Sequence, residues 1–141
     1  MTVKEWLLKS RTMERELQQL REAKKKAYTL ACGGTINSNQ EKVQTSRQNT
    51  VEQKFAVYTE YSKQIDERVD RLIEYRGTML KTINKLDNSK YRTLLIARYI
   101  NCETWEKIAE DMNYDLRWVY EINKRAIKRL EEDFTPPPDT P

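Results

Sequence analysis

The chain has 141 residues, with 26 Lys and Arg against 22 Asp and Glu, no histidine, and a formal net charge of +4. Its apolar fraction of 38% lies below the ~45–50% usual for a globular domain, so helices with one apolar stripe each fit better than a thick core. Without imidazole there is no Ser-His-Asp or Cys-His relay, Cys32 and Cys102 are too far apart for a zinc-ligand pair, and no apolar run approaches the ~20 residues that span a bilayer.

Thr2 and Glu5 form a capping-box start, and no Gly or Pro intervenes before Gly33. Met13, Leu17, Leu20, Ala23, Ala27 and Leu30 recur at helical spacing, which predicts a helix over 1–32 that stops at Cys32-Gly33-Gly34. Residues 33–49 hold only Ile36 and Val43 as apolar positions and read as a long loop.

A second helix is expected over 50–86, capped by Asn49 or Thr50. Val51, Tyr58, Ile65, Leu72, Met79 and Leu86 stand seven apart, and Phe55, Val69 and Ile83 fill the seam between them. Such a repeat argues for coiled-coil packing. The first helix is too short to cover it, so Val51, Phe55, Tyr58, Ile65, Val69, Leu72 and Met79 are expected at a homo-oligomer interface, with a dimer favoured. Gly77 marks a candidate bend.

Leu86-Asp87-Asn88-Ser89 breaks the pattern, and three helices are predicted over 89–101, 104–112 and 115–132. The Pro-rich residues 134–141 read as a disordered or polyproline tail. The expected organisation is therefore all-α: long helices over 1–86 for self-association, a helix-turn-helix over 87–133, and the tail.

The chemistry lies in the helix-turn-helix. Thr104 and Asp115 are the expected caps, Asn113-Tyr114 turns the chain, and Ala109 allows a close crossing. At 100° per residue, Val119, Ile122, Ala126, Ile127 and Leu130 share one face of the last helix. Arg117, Tyr120, Glu121, Lys124 and Lys128 share the opposite face. A helix that enters the DNA major groove needs that arrangement. Arg117 suits a guanine, Glu121 a cytosine N4, and Tyr120 a base or a phosphate. Lys124, Arg125 and Lys128 would supply phosphate affinity, with Thr104 beside a second phosphate position at a helix start. Trp105 is expected to pack inside, and Trp118 to seal the flank against the long helix.

T-W-E-K-I-A-E-D-M-N-Y-D-L-R-W-V-Y-E-I-N-K-R-A-I-K-R-L (104–130) resembles the helix-turn-helix of sigma-70 region 4, through Thr104, Ile108, Ala109, Val119, Ile122, Ala126, Ile127 and Leu130. The whole chain is similar to ArpU/RinA-type phage late-transcription regulators of Gram-positive hosts, through Val51-Glu52, the long helix, Leu95, Arg98, Tyr99 and Ile100. The resemblance implies sequence-specific binding of double-stranded DNA, with contacts at Leu116, Arg117, Tyr120, Glu121 and Lys124. Asn113 departs from the usual turn glycine, and Leu116 and Trp118 replace cations common in sigma factors.

Charge is unevenly placed: residues 1–31 carry +4 and residues 87–141 carry −2, yet 117–129 alone carry +4. A DNA-binding transcription regulator in the cytoplasm of a bacterial host is the leading expectation. It is expected to be no enzyme and to need no metal, other cofactor, small-molecule substrate or membrane. Two alternatives remain: a DNA-packaging oligomer of the small-terminase type, and a module that docks on RNA polymerase.

Overall fold

The computed structural model describes residues 1–32 and 44–134, with 44–50 as backbone alone. These residues form α1 (Val3–Ala31), α2 (Gln44–Ile83), α3 (Ser89–Leu95), a π-helical turn (Ile96–Ile100), α4 (Trp105–Met112) and α5 (Leu116–Glu131), with no strand among them. The protein is all-α, as expected. No helix among the described residues is long and apolar enough to cross a membrane.

The expected capping box closes α1: Thr2 N donates to Glu5 Oε2 at 2.9 Å and Glu5 N to Thr2 Oγ1 at 3.2 Å. Leu30, at the end of the apolar stripe of α1, is 75% exposed, whereas Leu17 on the same stripe is buried. The start of α2 differs from expectation. It begins at Gln44 rather than 50, because Gln44–Asn49 contains no Gly or Pro and two of its residue types, Gln and Arg, favour helix. The rest of the expected loop, 33–43, and residues 135–141 of the expected tail lie outside the described residues. Gly77 leaves α2 unbroken, and a Cβ there would meet nothing within 4 Å.

Two compact units divide the chain, and the cut runs through both long helices rather than at the expected boundary after residue 86. Met1–Met13 join the described residues from Leu72 onward, and Glu14–Arg71 form the second unit. The reason is a shared core. Val3, Trp6 and Leu7 from α1 and Met79, Ile83 and Leu86 from the end of α2 are buried in one cluster with Leu94, Leu95, Tyr99 and the apolar face of α5. Tyr75 Oη donates to Trp6 O at 2.7 Å. Phe134, expected in the tail, instead packs on Trp6 with ring centroids 5.2 Å apart.

The Glu14–Arg71 unit is an antiparallel helix pair. Arg68 Nη1 meets Glu16 Oε2 at 2.9 Å, the Tyr28 and Tyr58 rings are 5.6 Å apart, and Lys24 Nζ lies 5.1 Å from the Tyr58 ring centre. Leu17 and Ile65 are its buried apolar side chains among the described residues.

The heptad seam is therefore used differently from the expectation. Ile65, Leu72 and Met79, expected to meet a second subunit, are buried within a single chain, and Val69 is half-buried. They lie in the stretch of α2 that this chain's own helices cover. Val51 and Phe55 remain 57% and 70% exposed, with Tyr58 half-buried beside them.

Candidate nucleic-acid interface

The helix-turn-helix is built from local signals that act as the residue types require. Thr104 Oγ1 accepts from Lys107 N at 3.2 Å and Asp115 Oδ1 from Trp118 N at 2.7 Å, so both helices start on a side-chain cap. Asn113 ends α4 in the left-handed region at φ 56°, where asparagine is tolerated better than most side chains. Tyr114 N then donates back to Ala109 O at 3.0 Å. Ile108 and Ala109 are buried on α4, and α5 packs against α3 and α4 through Val119, Ile122, Ala126, Ile127 and Leu130.

That buried face leaves its opposite exposed. Arg117, Tyr120, Lys124 and Lys128 point to solvent along α5, while Leu116 and Glu121 are half-buried. Arg125 is also exposed but engaged: its Nε lies 3.2 Å from Glu121 Oε1, and its guanidinium lies 5.0 Å from the Trp118 ring centre. Thr104 is exposed, with its hydroxyl oxygen occupied as the cap. The structure thus brings Arg117, Tyr120, Lys124 and Lys128 onto one exposed stripe edged by Glu121, with Leu116 and Arg125 to either side of it and Thr104 at the start of the neighbouring helix.

The tryptophans frame the stripe. Trp105, expected to pack inside, is only half-buried at the edge of the core: it meets the Tyr120 ring edge-on at 5.2 Å and carries the Arg98 guanidinium 4.1 Å above its own ring. Trp118 does not seal against the long helix. It is 38% exposed and packs edge-on against Tyr114 at 6.5 Å. Lys90 Nζ lies 5.7 Å from the other aromatic of that pair, Tyr114.

A buried link fixes α5 from behind. Tyr99 Oη, on the π-helical turn, donates to Asn123 Oδ1 at 3.0 Å. Burial pushes the Tyr99 phenol above its ordinary pKa, partly opposed by the Asn123 bond and the Arg98 and Arg11 charges.

Sequence reasoning missed two arginines beside this face. Arg11, from α1, donates from Nη1 to Arg98 O at 3.0 Å, and Arg98 Nη1 donates to Glu103 O at 2.9 Å. In the sequence Arg98 stands out only through the likeness to phage regulators, and nothing local joins it to a residue 87 positions earlier.

Residues 35–131 match the family described as a protein of unknown function, DUF1492. The chain belongs to this family. The match takes in the described parts of α2 and all of α3, α4 and α5, and so the whole helix-turn-helix. No curated protein and no solved structure matches the chain.

Proposed function

We propose that this DUF1492 protein is a phage-type transcription regulator that binds double-stranded DNA in the cytoplasm of a bacterial host. In this reading α5 enters the major groove, and the chain self-associates, as a dimer in the first instance, through the start of α2, at exposed Val51 and Phe55 with half-buried Tyr58 beside them. The observation that carries the proposal is the exposed stripe of Arg117, Tyr120, Lys124 and Lys128 on a helix that is capped, cored and turned as a groove-reading helix requires. Arg117 and Glu121 are assigned to base edges, and Lys124, Arg125 and Lys128 to phosphates. The sequence likeness to ArpU/RinA-type regulators supports the same reading.

The test is fluorescence anisotropy with labelled duplexes across a salt series. The intact protein should bind at ~50 mM salt and weaken steeply by ~200 mM. Arg117→Ala with Lys124→Ala should abolish that binding. Absence of binding at low salt, or indifference to the double substitution, overturns the proposal.

The exposed Trp118, with Tyr114 and Leu116 near it, favours a second reading in which the same module docks on RNA polymerase. Co-purification with polymerase, lost in Trp118→Ala and without independent DNA affinity, would select it. A ring of many subunits in light scattering would instead select DNA packaging.

A further inference from the structure

Arg11 and Arg98 form a pair of guanidinium groups that the fold holds together although they repel. Both side chains are half-buried. Each uses one N–H on a backbone carbonyl, Arg11 on Arg98 O at 3.0 Å and Arg98 on Glu103 O at 2.9 Å, and the Trp105 ring lies 4.1 Å beneath Arg98. These contacts orient the two forks without neutralising them. Burial, and with it the Arg11 charge, holds the Arg98 guanidinium below its ordinary pKa.

Their other donors have no protein acceptor among the described residues, and Arg98 Nε is buried with no hydrogen-bond partner. No carboxylate among the described residues pairs with either arginine. The adjacent acid, Glu103, is turned to Lys107 Nζ at 3.2 Å. Desolvated like charges without a counter-charge are costly, and an anion that accepts from both forks removes the cost.

We propose that Arg11 and Arg98 clamp a backbone phosphate of bound DNA on the flank of the groove-reading helix. The clamp rests on the DNA-binding reading above for its ligand. Its location supports a phosphate over a protein carboxylate. Trp105, under Arg98, touches Tyr120, which belongs to the same α5 stripe as Arg117 and Lys124. A duplex laid along that stripe therefore runs its backbone past the arginine pair. Guanidinium forks match phosphate oxygens in geometry, and backbone contacts of this kind fix register without reading sequence.

The experiment uses the full chain, with inorganic phosphate and duplex DNA as separate probes. Thermal unfolding in phosphate and in chloride at matched ionic strength is compared for the wild type, Arg11→Gln and Arg11→Lys. Lys81→Gln controls for loss of one exposed charge elsewhere. Saturating phosphate should raise the midpoint of the wild type and of Lys81→Gln by about 2–4 °C over chloride. Arg11→Gln should lose most of that rise. Arg11→Lys, which keeps the charge without the fork, should lose about half, and it carries the test if the glutamine variant does not fold.

With DNA, Arg11→Gln should lower the slope of log affinity against log salt by about one and weaken all sequences equally. A phosphate response that equals the chloride response, or that survives Arg11→Gln, overturns the clamp whatever the DNA result. A phosphate response dependent on Arg11 in a protein that binds no duplex leaves the anion site standing and removes the DNA reading. Displacement of bound phosphate by a poly-glutamate peptide but not by duplex DNA would overturn the phosphate clamp in favour of an acidic protein partner.

Discussion

Tyr99 and Asn123 are joined by a 3.0 Å hydrogen bond that fastens the π-helical turn to the middle of α5. Tyr99 is 2% exposed, so its phenol depends on that one side chain for a partner. Tyr99→Phe should lower stability in urea unfolding by about 1 kcal/mol, the usual net worth of such a bond. DNA affinity should fall with it if the bond also sets the angle of α5.

The same phenol carries a pH dependence. Burial raises the pKa of both Tyr99 and Tyr75, so the folded state favours their neutral forms. Their contribution is intact below the ordinary tyrosine pKa of about 10 and is lost as pH rises from there through the raised folded values. The urea midpoint should therefore fall above about pH 10. Tyr99→Phe and Tyr75→Phe should each flatten that fall, as read in parallel titrations.

Asn113 offers a test of the turn. At φ 56° it occupies backbone space that glycine enters freely and alanine does not. Asn113→Ala should cost about 1 kcal/mol, whereas Asn113→Gly should stay within about 0.5 kcal/mol of the wild type. Equal losses would mean that the asparagine side chain, not the backbone, matters there.

Two apolar residues of α2 should respond in opposite ways. Phe55 is 70% exposed, so Phe55→Glu should leave the unfolding midpoint of dilute protein nearly unchanged and weaken self-association at least tenfold in sedimentation equilibrium. Met79 is fully buried, and Met79→Ala should cost about 2–5 kcal/mol of stability. Unchanged association in Phe55→Glu would remove the start of α2 from the subunit interface.

Glu121 and Arg125 form an i,i+4 ion pair with side chains 42% and 53% exposed, a pair worth at most ~0.5 kcal/mol. Glu121→Gln should therefore spare stability. It should tighten binding to arbitrary duplexes by about three- to tenfold at low salt, because the stripe loses its one acid and Arg125 is released to a phosphate. Discrimination among sequences should drop in the same assay if Glu121 reads cytosine.

What was legible in the sequence follows from the range of each signal. Thr2 with Glu5, Thr104 and Asp115 act within three residues of themselves, and each caps where its type and spacing predicted. The inward face of α5 obeyed its helical period through all five residues. Gln44–Asn49 misled because a polar helix without breakers looks like a loop when only apolar spacing is read. Ile65, Leu72 and Met79 showed that a seam existed, but not which surface would cover it. The Arg11–Arg98 approach and the Trp6–Phe134 contact join distant parts of the chain, and no local pattern encodes them.

The Trp6–Phe134 contact also imposes an order in time. A ribosome releases Trp6 long before Phe134, so the core they close stays unfinished until Phe134 has emerged. The antiparallel pair within Glu14–Arg71 has its partners earlier. The nascent protein thus carries its hairpin before α4 and α5 have the completed core that holds them.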